Sequence, residues 1–139
     1  MKKLIWLMSL LLGVSLALTA CGGSGASAAS TTMTVDMKEF QFTPDQFTVP
    51  AGQQITLNLT NSGSVEHDFT ILKKGVSPQS PFDAQKYASE IYYIAKLDAG
   101  QSTTQTFTAP TDPGTYEIIC SQPSHLEAGM KATLTVVGK

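Results

Sequence analysis

The chain of 139 residues has no arginine, two histidines and two cysteines, and charged side chains make up only 14% of it. Without arginine and with a formal charge of −2, it offers no basic surface to grip a phosphate backbone, which argues against nucleic acid as a partner. Two cysteines close one disulfide at most, so no disulfide framework holds the fold. The one long apolar run, residues 4–18, is fifteen residues long and falls short of a bilayer-spanning helix.

That run reads instead as an export signal. Lys2 and Lys3 precede it as a basic n-region, and the run itself has the length of a secretory h-region. Leu18-Thr19-Ala20-Cys21 then resembles the lipobox of bacterial lipoproteins. The resemblance implies cleavage before Cys21 and a lipid on its thiol, which anchors a protein without a spanning helix. The alternative is an ordinary signal peptide followed by a chance cysteine. GGSGASAASTT, residues 22–32, contains nothing that can form a core and reads as a flexible tether. The expected organisation is a signal peptide over 1–20, a lipidated Cys21 with its tether to residue 32, and one domain over 33–139. Loss of Lys2 and Lys3 with the leader takes the formal charge from −2 to −4. The expected location is outside the cytoplasm, on a bacterial membrane.

The domain is patterned as strands. Met33, Val35 and Met37 alternate, as do Phe40 and Phe42, Phe47 and Val49, and Ile55, Leu57 and Leu59. His67, Phe69 and Ile71 share one face, Tyr116, Ile118 and Cys120 another, and Leu134 and Val136 a third. Period-two alternation of β-branched and aromatic residues, broken by turns such as Asn61-Ser62-Gly63 and Asp112-Pro113-Gly114, predicts an all-β antiparallel sandwich of seven or eight strands. One stretch, residues 80–97, predicts a short helix near 81–95. Ser80 stands as N-cap, Pro81 as N1, and Tyr87, Ile91 and Ile94 fall at helical spacing. The competing reading is a strand over EIYYIA.

With Cys21 lipidated, Cys120 has no partner within the chain. An odd thiol in an exported protein marks an intermolecular bridge, a reactive group or a metal ligand, and otherwise packs as a small hydrophobe. Cys120 ends a strand, and His125 and Met130 follow in CSQPSHLEAGM; His67 comes from another strand. Taken singly, an inward histidine is a satisfied core residue and a methionine a gap filler. Together the four donors form the His2Cys set with a weak axial thioether that suits a mononuclear copper electron-transfer site. Zinc is compatible with three of them, whereas the methionine favours copper.

The stretches AGQQITLNLTNSGSVEHDFTI and AGQSTTQTFTAPTDPGTYEIICSQPSHLEAGMKATLTVV resemble the cupredoxins, the type 1 blue copper family. The Cys-x4-His-x4-Met spacing most resembles that of the auracyanins; plastocyanins are tighter before the histidine and azurins tighter after it. The resemblance implies a Greek-key sandwich holding one copper ion through His67, Cys120, His125 and Met130. It also implies an electron port at His125, framed by Pro123 and Leu126 with Ala128 nearby. Two positions depart from the family pattern. Ser124 stands where glycine is usual before the second histidine, and serine costs more than glycine at a positive φ. Asp68 stands in place of an asparagine that ties the ligand loops together; a carboxylate accepts but does not donate. Its charge beside copper would favour Cu(II).

The function expected on this reading is a membrane-anchored, monomeric carrier that passes single electrons between transient redox donor and acceptor proteins. The alternative is copper storage or delivery, which usually draws on more methionine than Met33, Met37 and Met130 provide. An enzyme is not expected. A Cys/His pair can act as nucleophile and base, yet no oxyanion-hole element accompanies it. Both histidines are already used, so none remains for a catalytic copper. A metal-free adhesive sandwich would leave Cys120 freely replaceable.

Overall fold

The computed structural model describes residues 28–138. The leader, Cys21 and most of the tether lie outside the described residues. Nine strands follow: β1 (Thr32–Lys38), β2 (Gln41–Thr43), β3 (Gln46–Pro50), β4 (Gln54–Asn61), β5 (His67–Leu72), β6 (Ile91–Leu97), β7 (Ser102–Thr108), β8 (Gly114–Ile119) and β9 (Lys131–Val137). They form two sheets, ordered β2-β1-β4-β7 and β3-β9-β8-β5-β6. The all-β sandwich expected from the alternation is the fold, with one strand more than the upper expectation because the short β2 is a separate edge piece.

The sheets are mixed rather than wholly antiparallel. β1 runs parallel to β4, and β3 parallel to β9. The chain leaves the first sheet after β2 and enters the second at β3, so each of these pairs is closed by a long connection that does not impose antiparallel pairing. Pairing also reaches back into the stretch expected as tether. Ser30 N–H donates to Thr48 O, and Thr56 N–H donates to Thr31 O.

One core lies between the sheets. Met33, Val35 and Met37 of β1 meet Ile55, Leu57 and Leu59 of β4, and from the other sheet come Phe69, Ile71, Tyr116, Ile118, Leu134 and Val136. Phe42 and Phe47 both stand edge-on to Phe69, with ring centroids 5.7 and 6.1 Å away. Burying each such side chain contributes roughly 1.5–3 kcal/mol. β5 is buried along its whole length, on both faces. Phe69 and Ile71 belong to the inter-sheet core, whereas Leu72, Ile119 and Tyr87 are buried outside it.

The helix expected near 81–95 is absent. Its place is taken by turns, one 3-10 turn over Ala88–Glu90, and strand β6. Ser80 does not cap. Asp83 Oδ1 instead accepts from the N–H groups of Gln85 and Lys86, which closes a local turn. The β-branched and aromatic run then pairs antiparallel with β5, placing Ala95 opposite Phe69 and Tyr93 opposite Ile71. The buried β5 needs a partner on that edge, and this demand overrides the helical spacing. Tyr93 stacks on Phe107 at 4.8 Å and donates to Gln105. It covers the edge of the sandwich core.

Candidate metal centre

His67 opens β5, and Cys120 follows directly on β8. These strands are neighbours, with Thr70 opposite Ile119 and Ile71 opposite Ile118. Their pairing brings both side chains to one end of the sandwich. Both residues are fully buried. The loop after Cys120 then folds back over this end. His125 N–H donates to Gln122 O, and Met130 N–H donates to His125 O at 2.9 Å. Cys120 N–H donates to Met130 O at 3.2 Å. The backbone of Met130 is therefore bonded to both other members of the loop, and its side chain is wholly buried.

Three donor atoms converge. His67 Nδ1 and His125 Nδ1 are 3.1 Å apart, and Cys120 Sγ lies 3.3 Å from His125 Nδ1 and 3.8 Å from His67 Nδ1. A first-row metal ion about 2.0–2.3 Å from each donor needs separations of about 3.3–4 Å between them. The triangle is near that size. Its chemistry also suits a cation: burial first, and the charge of Asp68 second, push the Cys120 thiol up to about 12, so only a strong positive charge makes it a thiolate at neutral pH. Burial, and then His125, hold His67 below the usual imidazole range, which keeps a lone pair available. Two imidazoles, one thiolate and a buried thioether are the donor set of a mononuclear copper site.

The two departures from the family pattern are both visible. Ser124 has φ +67°, the left-handed conformation that favours glycine. Asp68 is buried and does tie the ligand loops, because Ser121, the residue after Cys120, donates to it twice. Its Oδ1 accepts from Ser121 N–H at 2.8 Å and from Thr70 Oγ at 2.6 Å, and its Oδ2 accepts from Ser121 Oγ at 2.7 Å. The Asp68 N–H in turn donates to Cys120 Sγ at 3.4 Å. The carboxylate replaces an amide without leaving a buried polar atom unpaired.

Of the residues expected to frame the port, His125 and Leu126 are half-buried, and Pro123 and Ala128 are exposed. One contributor escaped the sequence reading. Phe40, 43% exposed, stands edge-on to His125 with centroids 5.0 Å apart. It lies in the β1–β2 turn, not on a strand face with Phe42 as its alternation suggested. Glu39, beside Phe40, is held by Ser64 N–H, which is the largest cause lowering its carboxyl to about 2. Nothing local in the sequence announces Glu39 and Phe40. They reach the site through the parallel pairing of β1 with β4.

Known proteins of similar sequence and shape agree with this arrangement. The family profile of the cupredoxin-like domain matches residues 9–136. Auracyanin-A of Chloroflexus aurantiacus is 31% identical over 85% of this chain and 88% of its own length. Auracyanin-B of the same organism is 31% identical over 86% of this chain, which spans 59% of that longer protein. The crystal structure of auracyanin from Roseiflexus castenholzii is 33% identical, superposes with a TM-score of 0.65, and is covered over 99% of its length by 79% of this chain. With the sandwich, the converging donors and these relatives in agreement, the chain belongs to the cupredoxin-like domain family.

Proposed function

We propose that this protein is a type 1 copper electron carrier, held outside the cytoplasm by a lipid on Cys21, that passes single electrons between transient redox partners. The observation that carries this reading is the convergence of His67 Nδ1, Cys120 Sγ and His125 Nδ1 within 3.1–3.8 Å of one another, beside the buried Met130. A copper ion bound there supplies a one-electron Cu(II)/Cu(I) couple. Cys120 provides a soft thiolate that favours the reduced ion, the imidazoles suit both states, and Met130 offers only a weak thioether. The hydrogen bonds among Cys120, His125 and Met130, and those through Asp68, hold the donors fixed, so little has to move when the charge changes. His125 is half-buried in the ligand loop and gives partners an imidazole edge framed by Phe40, Leu126 and Pro123.

No enzymatic role is assigned, since both histidines of the chain are committed to this one site. Among the described residues no helix is long and apolar enough to cross a membrane. The anchor therefore rests on Leu18-Thr19-Ala20-Cys21, and a Cys21→Ser variant is expected to leave the membrane fraction. The electron-carrier reading is tested by stopped-flow mixing of copper-loaded protein with a small one-electron reductant and then an oxidant. Rapid second-order reduction and full reoxidation with copper retained are expected. Slow exchange, with copper passing readily to a chelator, would mark a copper delivery protein instead.

A further inference from the structure

The edge of His67 that faces away from the other donors has its own setting. His67 Nδ1 points to Cys120 and His125, and a neutral imidazole that gives its Nδ1 lone pair to a metal must carry its proton on Nε2. That Nε2 is buried and has no hydrogen-bond partner. Oε1 of Glu39 lies 3.9 Å away, about 1 Å longer than an N–H···O hydrogen bond.

Glu39 comes from the opposite sheet, in the turn between β1 and β2. Parallel pairing that ends with Met37 opposite Asn61 brings this turn against the loop that leads into His67. The loop is shaped to receive the carboxylate. Ser64 donates to Oε1 through both its backbone N–H and its Oγ. A Cβ on Gly63 would lie 2.7 Å from Oε1, so the carboxylate occupies space that any other residue there would claim. Asn61 fixes the loop itself: its Nδ2 donates to Val65 O and Leu97 O, and its Oδ1 accepts from Gly63 N–H. Phe40, the next residue, packs edge-on against His125.

We propose that Glu39 is a positioning residue for His67, its carboxylate accepting the Nε2–H when Nδ1 binds the metal. A carboxylate behind a ligating histidine fixes the ring's tautomer and orientation and makes the other nitrogen a stronger donor. The contact closes by a small movement of the Glu39 side chain, which is 26% exposed. The turn would thus hold both ligand rings from outside the ligand loops, Glu39 behind His67 and Phe40 against His125.

This inference rests on the copper reading of the site, and the test separates the two. Wild-type protein, Glu39→Gln and Glu39→Ala are compared for Cu(II) affinity, reduction potential and the His67 Nε2–H proton resonance in the diamagnetic Cu(I) form. Glu39→Gln keeps an acceptor and loses the charge. It is expected to retain the proton resonance, displaced, with a higher potential. Glu39→Ala is expected to lose protection of that proton and to bind Cu(II) at least tenfold more weakly. Wild-type affinity, potential and proton signal in both variants overturn the proposal while leaving the copper site standing. So does a loss of thermal stability in both without any change in potential or proton signal, which is the mark of a merely structural role. A wild-type protein that binds no copper overturns both readings.

Discussion

Ser124 is the one non-glycine residue with a positive φ among the described residues, at +67°. An L side chain in that region costs about 1–2 kcal/mol, and glycine offsets most of this while losing more chain entropy on folding. Ser124→Gly is therefore expected to stabilise the protein by about 0.5–1 kcal/mol, read as a rise in melting temperature with copper stoichiometry unchanged. A fall in stability would show that the serine side chain contributes something its backbone conformation conceals. Asp68 places a carboxylate where the resemblance implies an amide, and two of its hydrogen bonds come from Ser121. Asp68→Asn removes a negative charge beside the site and is expected to raise the reduction potential; an unchanged or lower potential contradicts this. Cys120 can be probed without metal. Its thiol stands at about 12 against an ordinary 9.0. Above pH 9.0 the unfolded chain sheds that proton while the folded chain keeps it, so the apoprotein loses stability as pH rises toward about 12. Equilibrium unfolding in urea from pH 7 upward measures the loss, and Cys120→Ser should remove it.

At the scale of elements, β6 shows where a sequence pattern yields to packing. Tyr87, Ile91 and Ile94 fall at helical spacing, yet β5 is buried on both faces and takes Ile91–Leu97 as its edge partner. The run EIYYIA carries β-branched and aromatic residues that serve either structure, and only the neighbouring strand decides between them. The strand predicts a difference along its own length. Tyr93 stacks on Phe107, and Tyr93→Ala should cost about 2 kcal/mol. Ile94 is 39% exposed, and Ile94→Ala should cost less than about 1 kcal/mol. A helical face would make the two comparable. The ligand positions were legible for the opposite reason. His67 and Cys120 lie on strands whose alternation is unambiguous, and His125 and Met130 follow within ten residues of Cys120, too close to end up elsewhere. Glu39 and Phe40 were not legible, since their approach depends on β1 lying parallel to β4, and nothing in either segment specifies that neighbour.

The whole molecule joins two sheets through one core and gathers its reactive groups at one end. Those groups set opposite limits on the apoprotein. His67 is held below its ordinary 6.5, chiefly by burial. As pH falls through 6.5 the unfolded chain takes a proton before the folded one does, and stability drops. Glu39 adds a second loss between 4.5 and about 2, where the folded carboxylate resists protonation and the unfolded one accepts it. Cys120 limits the alkaline side. From these groups, the melting temperature of the apoprotein is expected to be highest between about pH 6.5 and 9 and to fall on both sides; a flat profile from pH 4 to 11 contradicts the burial of these ligands. The central claim, that His67, Cys120, His125 and Met130 form one copper site, is tested most directly by titrating the protein with Cu(II) and recording the visible spectrum. The account predicts an intense thiolate-to-copper charge-transfer band that saturates at one equivalent and is absent from Cys120→Ser. A wild-type protein that stays colourless, or a band that survives Cys120→Ser, would contradict it.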